Sequence, residues 1–349
     1  MAYRRQRRSA GRTAAGVVGI LAGALSLTSC AASGGEAADT ITLYNGQHVQ
    51  TTDALVKAFQ QETGITVKVH TDGEAVLADQ IVTEGPRSPA DVIFTENTPA
   101  LEFLQSKHLL AHLPAPAGAT TRARFDSGAG DWVGISARVS ALVYNPSLIK
   151  RAALPASVLQ LADPRFKGEV ALAPGETDFQ PIVTSVLHAD GKAATVRWLE
   201  GLKANAASHI YPDNETLVAE VNKGQVAMGV INQYYWYRLR SQIGTASTHS
   251  ALATFAPRDP GYVIDVSGAA VLASSRHRSE AERFVAFLTT RRAQEIIAGG
   301  DSFEYPIDAG VTTAAPETPF GQLRPNPISL SELGDGSAAV AMLQQVQLL

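Results

Sequence analysis

The spacing of apolar and polar positions changes along the chain, and each change predicts an element. Ile41-Thr42-Leu43-Tyr44-Asn45 is short, rich in β-favouring residues and stopped by Asn45-Gly46, which predicts a first strand. From residue 50 to 62 the apolar positions Leu55, Ala58 and Phe59 share one side of a helix that Gly64 would end. Ile65 to Val69 alternates as a strand does, residues 75–84 return to helical spacing, and Ala90-Asp91-Val92-Ile93-Phe94 is a near-continuous apolar strand. This β-α-β-α-β order implies parallel strands covered by helices on both faces.

The pattern then restarts. Val139–Tyr144 is a predicted strand and a candidate crossover between lobes, and Gly168–Ala173 is another strand. Helices are predicted at Phe179–His188, Ala193–Lys203 and Leu217–Asn222, and Gln225–Ile231 is a buried strand. Val263–Leu272 reads as a return strand, followed by an amphipathic helix over Glu280–Leu288. There is no internal repeat.

The first residues read as an address. Arg4, Arg5, Arg7, Arg8 and Arg12 precede an apolar run from Ala14 to Leu27, which is shorter than the ~20 residues a membrane span needs. Leu27-Thr28-Ser29-Cys30 resembles the bacterial lipobox, which implies lipidation of Cys30 and removal of residues 1–29. Residues 30–39 then form a small-residue tether. Cys30 is the single cysteine of 349 residues, which excludes disulfides, iron–sulfur clusters, zinc fingers and cysteine nucleophiles from the remaining chain. Loss of the leader removes five arginines and no acid, moving the formal charge from −4 to −9, a balance that argues against nucleic acid. A chain of this length exceeds the size of one core, so two lobes are expected.

The candidate chemistry lies at strand ends. Asn232-Gln233-Tyr234-Tyr235-Trp236 directly follows a predicted strand. Taken alone it reads as aromatic packing. In a strand the adjacent tyrosines would face opposite ways, whereas at a strand-to-helix turn, with Asn232 as N-cap, they can converge. His48 lies just past the first strand and Glu96 just past Ala90–Phe94. In open α/β sheets ligands sit beyond the carboxyl ends of strands, so one imidazole, one carboxylate and two phenols face a shared cleft. Phenols lose their protons near pH 10, so only a highly charged cation ionises them near neutrality. Fe(III) does so, while Ca(II) and Mg(II) prefer carboxylates, carbonyls and water. One carboxylate and two phenolates would balance Fe(III), and neutral His48 would add a fourth ligand.

The segments ITLYNGQH, SPADVIFTEN and VINQYYW, with RDPG and SGAAVL further on, resemble the bacterial ferric-ion-binding proteins, transferrin-like solute receptors of iron ABC importers. The resemblance spans nearly the whole chain after the tether. It implies a type II periplasmic-binding-protein fold of class α/β: two lobes, each a mixed, mainly parallel sheet flanked by helices, closing about a hinge on an interlobe cleft. The implied boundaries are 40–140 with 265–312 for the N-terminal lobe and 141–264 with 313–349 for the C-terminal lobe. It implies that His48, Glu96, Tyr234 and Tyr235 hold the metal and that a synergistic anion, carbonate or phosphate, sits against it. Asn214 and Asn232 match the family's anion-binding asparagines. Its partners would be a permease with its ATPase, and the receptor would be a monomer on the outer face of the cell membrane.

One departure concerns the anion. Where relatives have a Pro-Thr-Ser-Gly-like turn, this chain reads Pro174-Gly175-Glu176-Thr177. An ionised Glu176 would repel phosphate, which leaves a smaller anion such as carbonate, or Glu176 itself on the iron or its water. The other reading has Glu176 in solvent while Thr177 and backbone amides hold phosphate. Arg138 is a further anion candidate, with a hinge salt bridge as its other role.

Other signals are weaker. His108 and His112 are four apart and would pair on a helix, though the leucines around them read as packing. Arg238 and Arg240 read as a solvated helix face. A receptor for thiamine, a polyamine or a phosphonate is the nearest rival, and a metal-assisted hydrolase using Glu96 as base is a remote one. No phosphate loop, GxSxG elbow or HExxH helix is present, so no enzyme is expected.

Overall fold

Two parallel crossovers begin the fold. The computed structural model describes residues 39–114, 125–308, 310–313 and 318–349; the leader, Cys30 and nearly all of the tether lie outside them. Strand β1 (Thr40–Gly46) leads through α1 (Val49–Thr63) to β2 (Thr66–Thr71), and α2 (Glu74–Glu84) leads on to β3 (Val92–Thr95). β1 pairs in parallel with both β2 and β3. The helical spacing of α1 buries Leu55, Val56, Ala58 and Phe59, and Gly64 ends it in the left-handed region at φ 75°. Phe59 packs edge-on against Phe284 with centroids 5.0 Å apart, tying α1 to α8 (Arg278–Leu288).

Helix α3 (Pro99–Ser106) precedes the longest strand, β4 (Val133–Tyr144), all twelve residues of which are buried. Then follow β5 (Val170–Ala171), α4 (Phe179–Asp190), α5 (Lys192–Ala206), α6 (Asn214–Lys223), β6 (Met228–Asn232) and α7 (Gln233–Ile243). After β7 (Ala251–Ala253), β8 (Ile264–Val271) precedes α8, and α9 (Arg291–Gly299), β9 (Tyr305–Pro306), α10 (Leu330–Leu333) and α11 (Ser337–Gln345) complete the order.

The strands form one mixed sheet in the order β2-β1-β3-β8-β4-β6-β5, with β7 and β9 also on β4. β4 joins its two halves. Residues 133–139 pair antiparallel with β8, and residues 140–144 pair antiparallel with β6. The parallel pairs are β1 with its two neighbours and β5 with β6. The return strand β8 inserts antiparallel between β3 and β4, so each half is mixed. The α/β class expected from the alternating pattern holds. The fold is the two-lobed periplasmic-binding-protein type.

Three expectations need correction. The sheet is mixed but not mainly parallel, because β4 pairs antiparallel with β6, β7, β8 and β9, and β3 does so with β8. β4 begins six residues before Val139, because Ser136, Arg138 and Ser140 are buried polar residues that break the apolar run. α3 ends at Ser106 and His108 adopts φ 56°, so His108 and His112 share no helix face. The exposed His112 ring instead lies 3.3 Å from Asp131.

At the carboxyl end of β1 the chain passes close beneath α2. A Cβ placed on Gly46 would stand 2.8 Å from the Glu74 Cβ and 3.0 Å from its Cα. Gly46→Ala is therefore expected to destabilise the chain by about 1–3 kcal/mol, as overpacking does. Denaturant unfolding of the purified chain checks this, and an unchanged midpoint would contradict the close approach.

Candidate metal centre

Three turns at strand ends bring the predicted residues together. His48 occupies the N-cap position of α1, yet its side chain makes no cap bond. Gln47 explains this, because its side-chain oxygen accepts both the His48 backbone N–H at 2.6 Å and the ring Nδ1–H at 2.5 Å, which turns Nε2 toward Glu96. Glu96 follows β3. Tyr234 and Tyr235 lie in the first turn of α7, where the helix start brings their rings to 4.1 Å between centroids. The convergence centres on one oxygen. The Tyr234 hydroxyl donates to Glu96 Oε1 at 2.6 Å, and His48 Nε2 lies 3.5 Å from the same atom. The His48 ring meets the Tyr234 ring edge-on at 5.1 Å.

The residues considered for an anion lie on the same side as the tyrosines. Glu176 accepts from the Asn214 backbone N–H at 3.3 Å, at the first residue of α6. The Asn214 side-chain amide donates to Asp178 Oδ2 at 3.4 Å, and the Tyr234 hydroxyl is also 3.4 Å from that oxygen. Thr177 Oγ1 accepts from the Asn97 amide at 2.9 Å. Asn232 stands at the N-cap position of α7, but its side chain makes no bond to the helix N–H groups.

Arg138 is fully buried on β4 and faces protein acceptors. It donates to Glu304 at 2.8 Å, to the Asn97 side-chain oxygen at 2.7 Å and to the Glu96 main-chain carbonyl, and its Nε lies 3.6 Å from Asp178. Of the two roles expected for Arg138, this geometry displays the salt bridge.

The bacterial extracellular solute-binding protein family matches residues 54–320. The chain belongs to that family. It is 36% identical over 332 residues to the Fe(3+)-binding periplasmic protein of Serratia marcescens, covering 94% of this chain and 96% of that one. The major ferric iron-binding protein of Neisseria meningitidis is likewise 36% identical over 307 residues, covering 87% and 92%. The crystal structure of iron-bound HitA from Pseudomonas aeruginosa superposes with a TM-score of 0.83 at 41% identity, covering 88% of this chain and 99% of that one.

Sequence reasoning missed several residues that the fold of this solute-binding protein brings to the candidate site. Asp178 and Glu304 are isolated acids outside any recognisable motif. Glu74 and Asn97 form a buried pair, with Glu74 accepting from the Asn97 backbone N–H at 2.8 Å and its side chain at 3.0 Å. Arg238, expected on a solvated helix face, instead lies across the tyrosine rings, 5.0 Å from the Tyr234 centroid and 5.7 Å from that of Tyr235. The only signal for it was its spacing of four and three residues from the tyrosines, which puts all three on one helix side.

Burial sets the protonation of the candidate site. It holds both phenols well above their usual range, reinforced by the neighbouring Asp178 and Glu96 carboxylates. Burial lowers His48 to about 4, with Arg238 and Arg138 acting the same way and Glu304 opposing. The imidazole is therefore neutral at neutral pH, as a metal ligand must be. Burial raises Glu74, Glu176 and Asp265 each to about 7, and it raises Asp178 as well.

These shifts give a pH dependence opposite to that of most carboxylates. A carboxyl raised from its ordinary value near 4 to about 7 binds more protons folded than unfolded, so its contribution is complete below pH 4 and lost as pH rises through 7. His48 acts the other way, but only below its unfolded value of 6.5. Above pH 6.5 only the carboxyls act. The metal-free chain is thus expected to melt at higher temperature at pH 6.5 than at pH 8, with Glu74→Gln and Glu176→Gln together reducing the difference and Asp265 keeping the remainder. Thermal unfolding by circular dichroism at the two pH values checks this.

Proposed function

We propose that this chain is the extracytoplasmic receptor of a bacterial ABC importer and captures Fe(III) as its cargo, with His48, Glu96, Tyr234 and Tyr235 as ligands. The observation that carries the reading is the meeting of the Tyr234 hydroxyl and the His48 imidazole at one oxygen of Glu96, with the Tyr235 ring tilted against that of Tyr234. Iron would replace the hydroxyl proton now shared between Tyr234 and Glu96. Two phenolates and one carboxylate neutralise the ion, and neutral His48 completes four protein ligands. The names of the relatives, which bind ferric iron in the periplasm, support the same solute. A permease with its ATPase is the partner such a receptor serves.

The lobe boundaries fit capture by closure. β4 pairs with β8 before residue 140 and with β6 after it. His48 and Glu96 follow β1 and β3, while the tyrosines follow β6, so bound iron favours the closed form through contacts that opening removes. Lipidation of Cys30 would keep the receptor at the outer face of the membrane as a monomer.

In this reading protein carboxylates stand where a synergistic anion would. Of the donors expected to hold phosphate or carbonate, the Asn214 backbone and side-chain amides already serve Glu176 and Asp178, while the Asn232 side chain makes no bond to its helix. A carboxylate in that place repels phosphate in a low-dielectric cleft.

Titration of the leaderless chain with ferric citrate is expected to develop a phenolate-to-iron charge-transfer band that saturates at one equivalent. Tyr234→Phe and Tyr235→Phe should each diminish it. A spectrum that stays colourless while the melting temperature stays fixed would remove iron from the reading. Iron affinity measured across phosphate concentrations is expected to be flat for the wild type and to acquire phosphate dependence in Glu176→Ser. An identical response of the two proteins would return the anion to the site.

A further inference from the structure

The tyrosine pair has a second neighbour besides the ligand cluster. A cavity of about 510 Å³ opens beside His48, and Arg238, Glu215, Asp301 and Phe303 are among its lining residues. Arg238 leaves α7 on the side of the tyrosines, lies over both rings and ends at Glu215 on α6, with Nη1 2.9 Å from the carboxylate. Its side chain is only 20% exposed, whereas Glu215 is 55% exposed. The guanidinium is therefore clamped between the ring faces and a carboxylate that solvent partly screens.

We propose that Arg238 is a positioning residue for iron capture, whose charge lies on the ring faces of Tyr234 and Tyr235 and sets how strongly their oxygens donate to Fe(III). The inference rests on the iron reading above and extends it to a residue outside the ligand set. A cation on a neutral aromatic face is attracted by the ring quadrupole. When the oxygens bind iron as phenolates, each ring carries negative charge and the attraction becomes that of an ion pair. Arg238 thus makes a stronger contact in the loaded state than in the empty one, which is the condition for favouring it. It also fixes the two rings relative to each other, because one planar guanidinium spans both.

Glu215 opposes this charge from the other side. Removing Arg238 and removing Glu215 should therefore move the electronic properties of the tyrosines in opposite directions. A merely structural Arg238–Glu215 salt bridge would give the same result from either end.

The test is the visible spectrum of the iron-loaded, leaderless chain. Excitation of a phenolate-to-iron transition carries an electron away from the rings, and a cation on those rings raises its energy. Arg238→Gln is expected to shift the band to longer wavelength, Glu215→Gln to shorter wavelength, and Arg238→Lys to lie between Arg238→Gln and the wild type, all at one iron per chain. Bands at the wild-type position in both Gln variants, or shifts of the same sign, would overturn the assignment while leaving iron binding intact. A colourless wild type would overturn both this inference and the iron reading on which it stands.

Discussion

A guanidinium with no access to water sits at the middle of β4, and the site is assembled around its needs. Removing such a charge from water costs several kcal/mol unless partners and hydrogen bonds replace the solvent. The partners of Arg138 come from separate parts of the chain: Glu304 before β9, Glu96 and Asn97 after β3, and Asp178 before α4. Satisfying one buried charge thereby fixes the segments that carry the candidate ligands. The Glu96 main chain is held by Arg138, so its carboxylate is free to meet Tyr234 and His48. Asp178 is held against the tyrosines by the same residue. Arg138 keeps its charge because Glu96, Glu304 and Asp178 outweigh the cost of burial.

One fully buried cation among so many carboxylates leaves the site short of positive charge, even with Arg238 at its edge. Protons make up the difference, since burial raises Glu74, Glu176 and Asp178 and holds both phenols protonated. The site is consequently a store of exchangeable protons enclosed by buried polar groups. A trivalent cation entering it replaces protons rather than water alone, and binding becomes linked to pH through the ligands themselves.

Much of this was legible in the sequence, and the reasons for the gaps are physical. The alternation of strands and helices from β1 to β3 was clear because each helix buries one apolar face and each strand is short and β-branched. His48, Glu96 and the tyrosines were legible from their places past strand ends. Arg138 was visible, but its partners Glu304 and Asp178 were not, because an acid's burial depends on contacts distant in sequence. The early part of β4 was hidden for the same reason, since Ser136 and Arg138 are polar residues made internal by tertiary hydrogen bonds. Arg238 looked solvent-facing because its neighbours Tyr237 and Arg240 belong to a mostly polar helix surface. Only folding shows that its long side chain turns back across the rings.

The same arrangement bears on which ions the site can hold. Among the described residues no group of three or more His, Cys, Asp or Glu side chains is placed to bind a metal. From the four proposed ligands a divalent ion would gain one carboxylate, one imidazole and two neutral phenols, a poor set for hard cations that seek several charged or carbonyl oxygens. The remaining donors appear only if both phenols ionise, and burial makes that costly. A trivalent ion recovers the cost because its attraction for two phenolates is larger in a medium of low dielectric. Selectivity then follows from how hard the phenols are to ionise rather than from cavity size. Arg238 adjusts that threshold from outside the ligand set, and Glu215 moderates Arg238 in turn. A stack of aromatic rings under a paired arginine thus links the charge of the solute to the electronic state of its ligands.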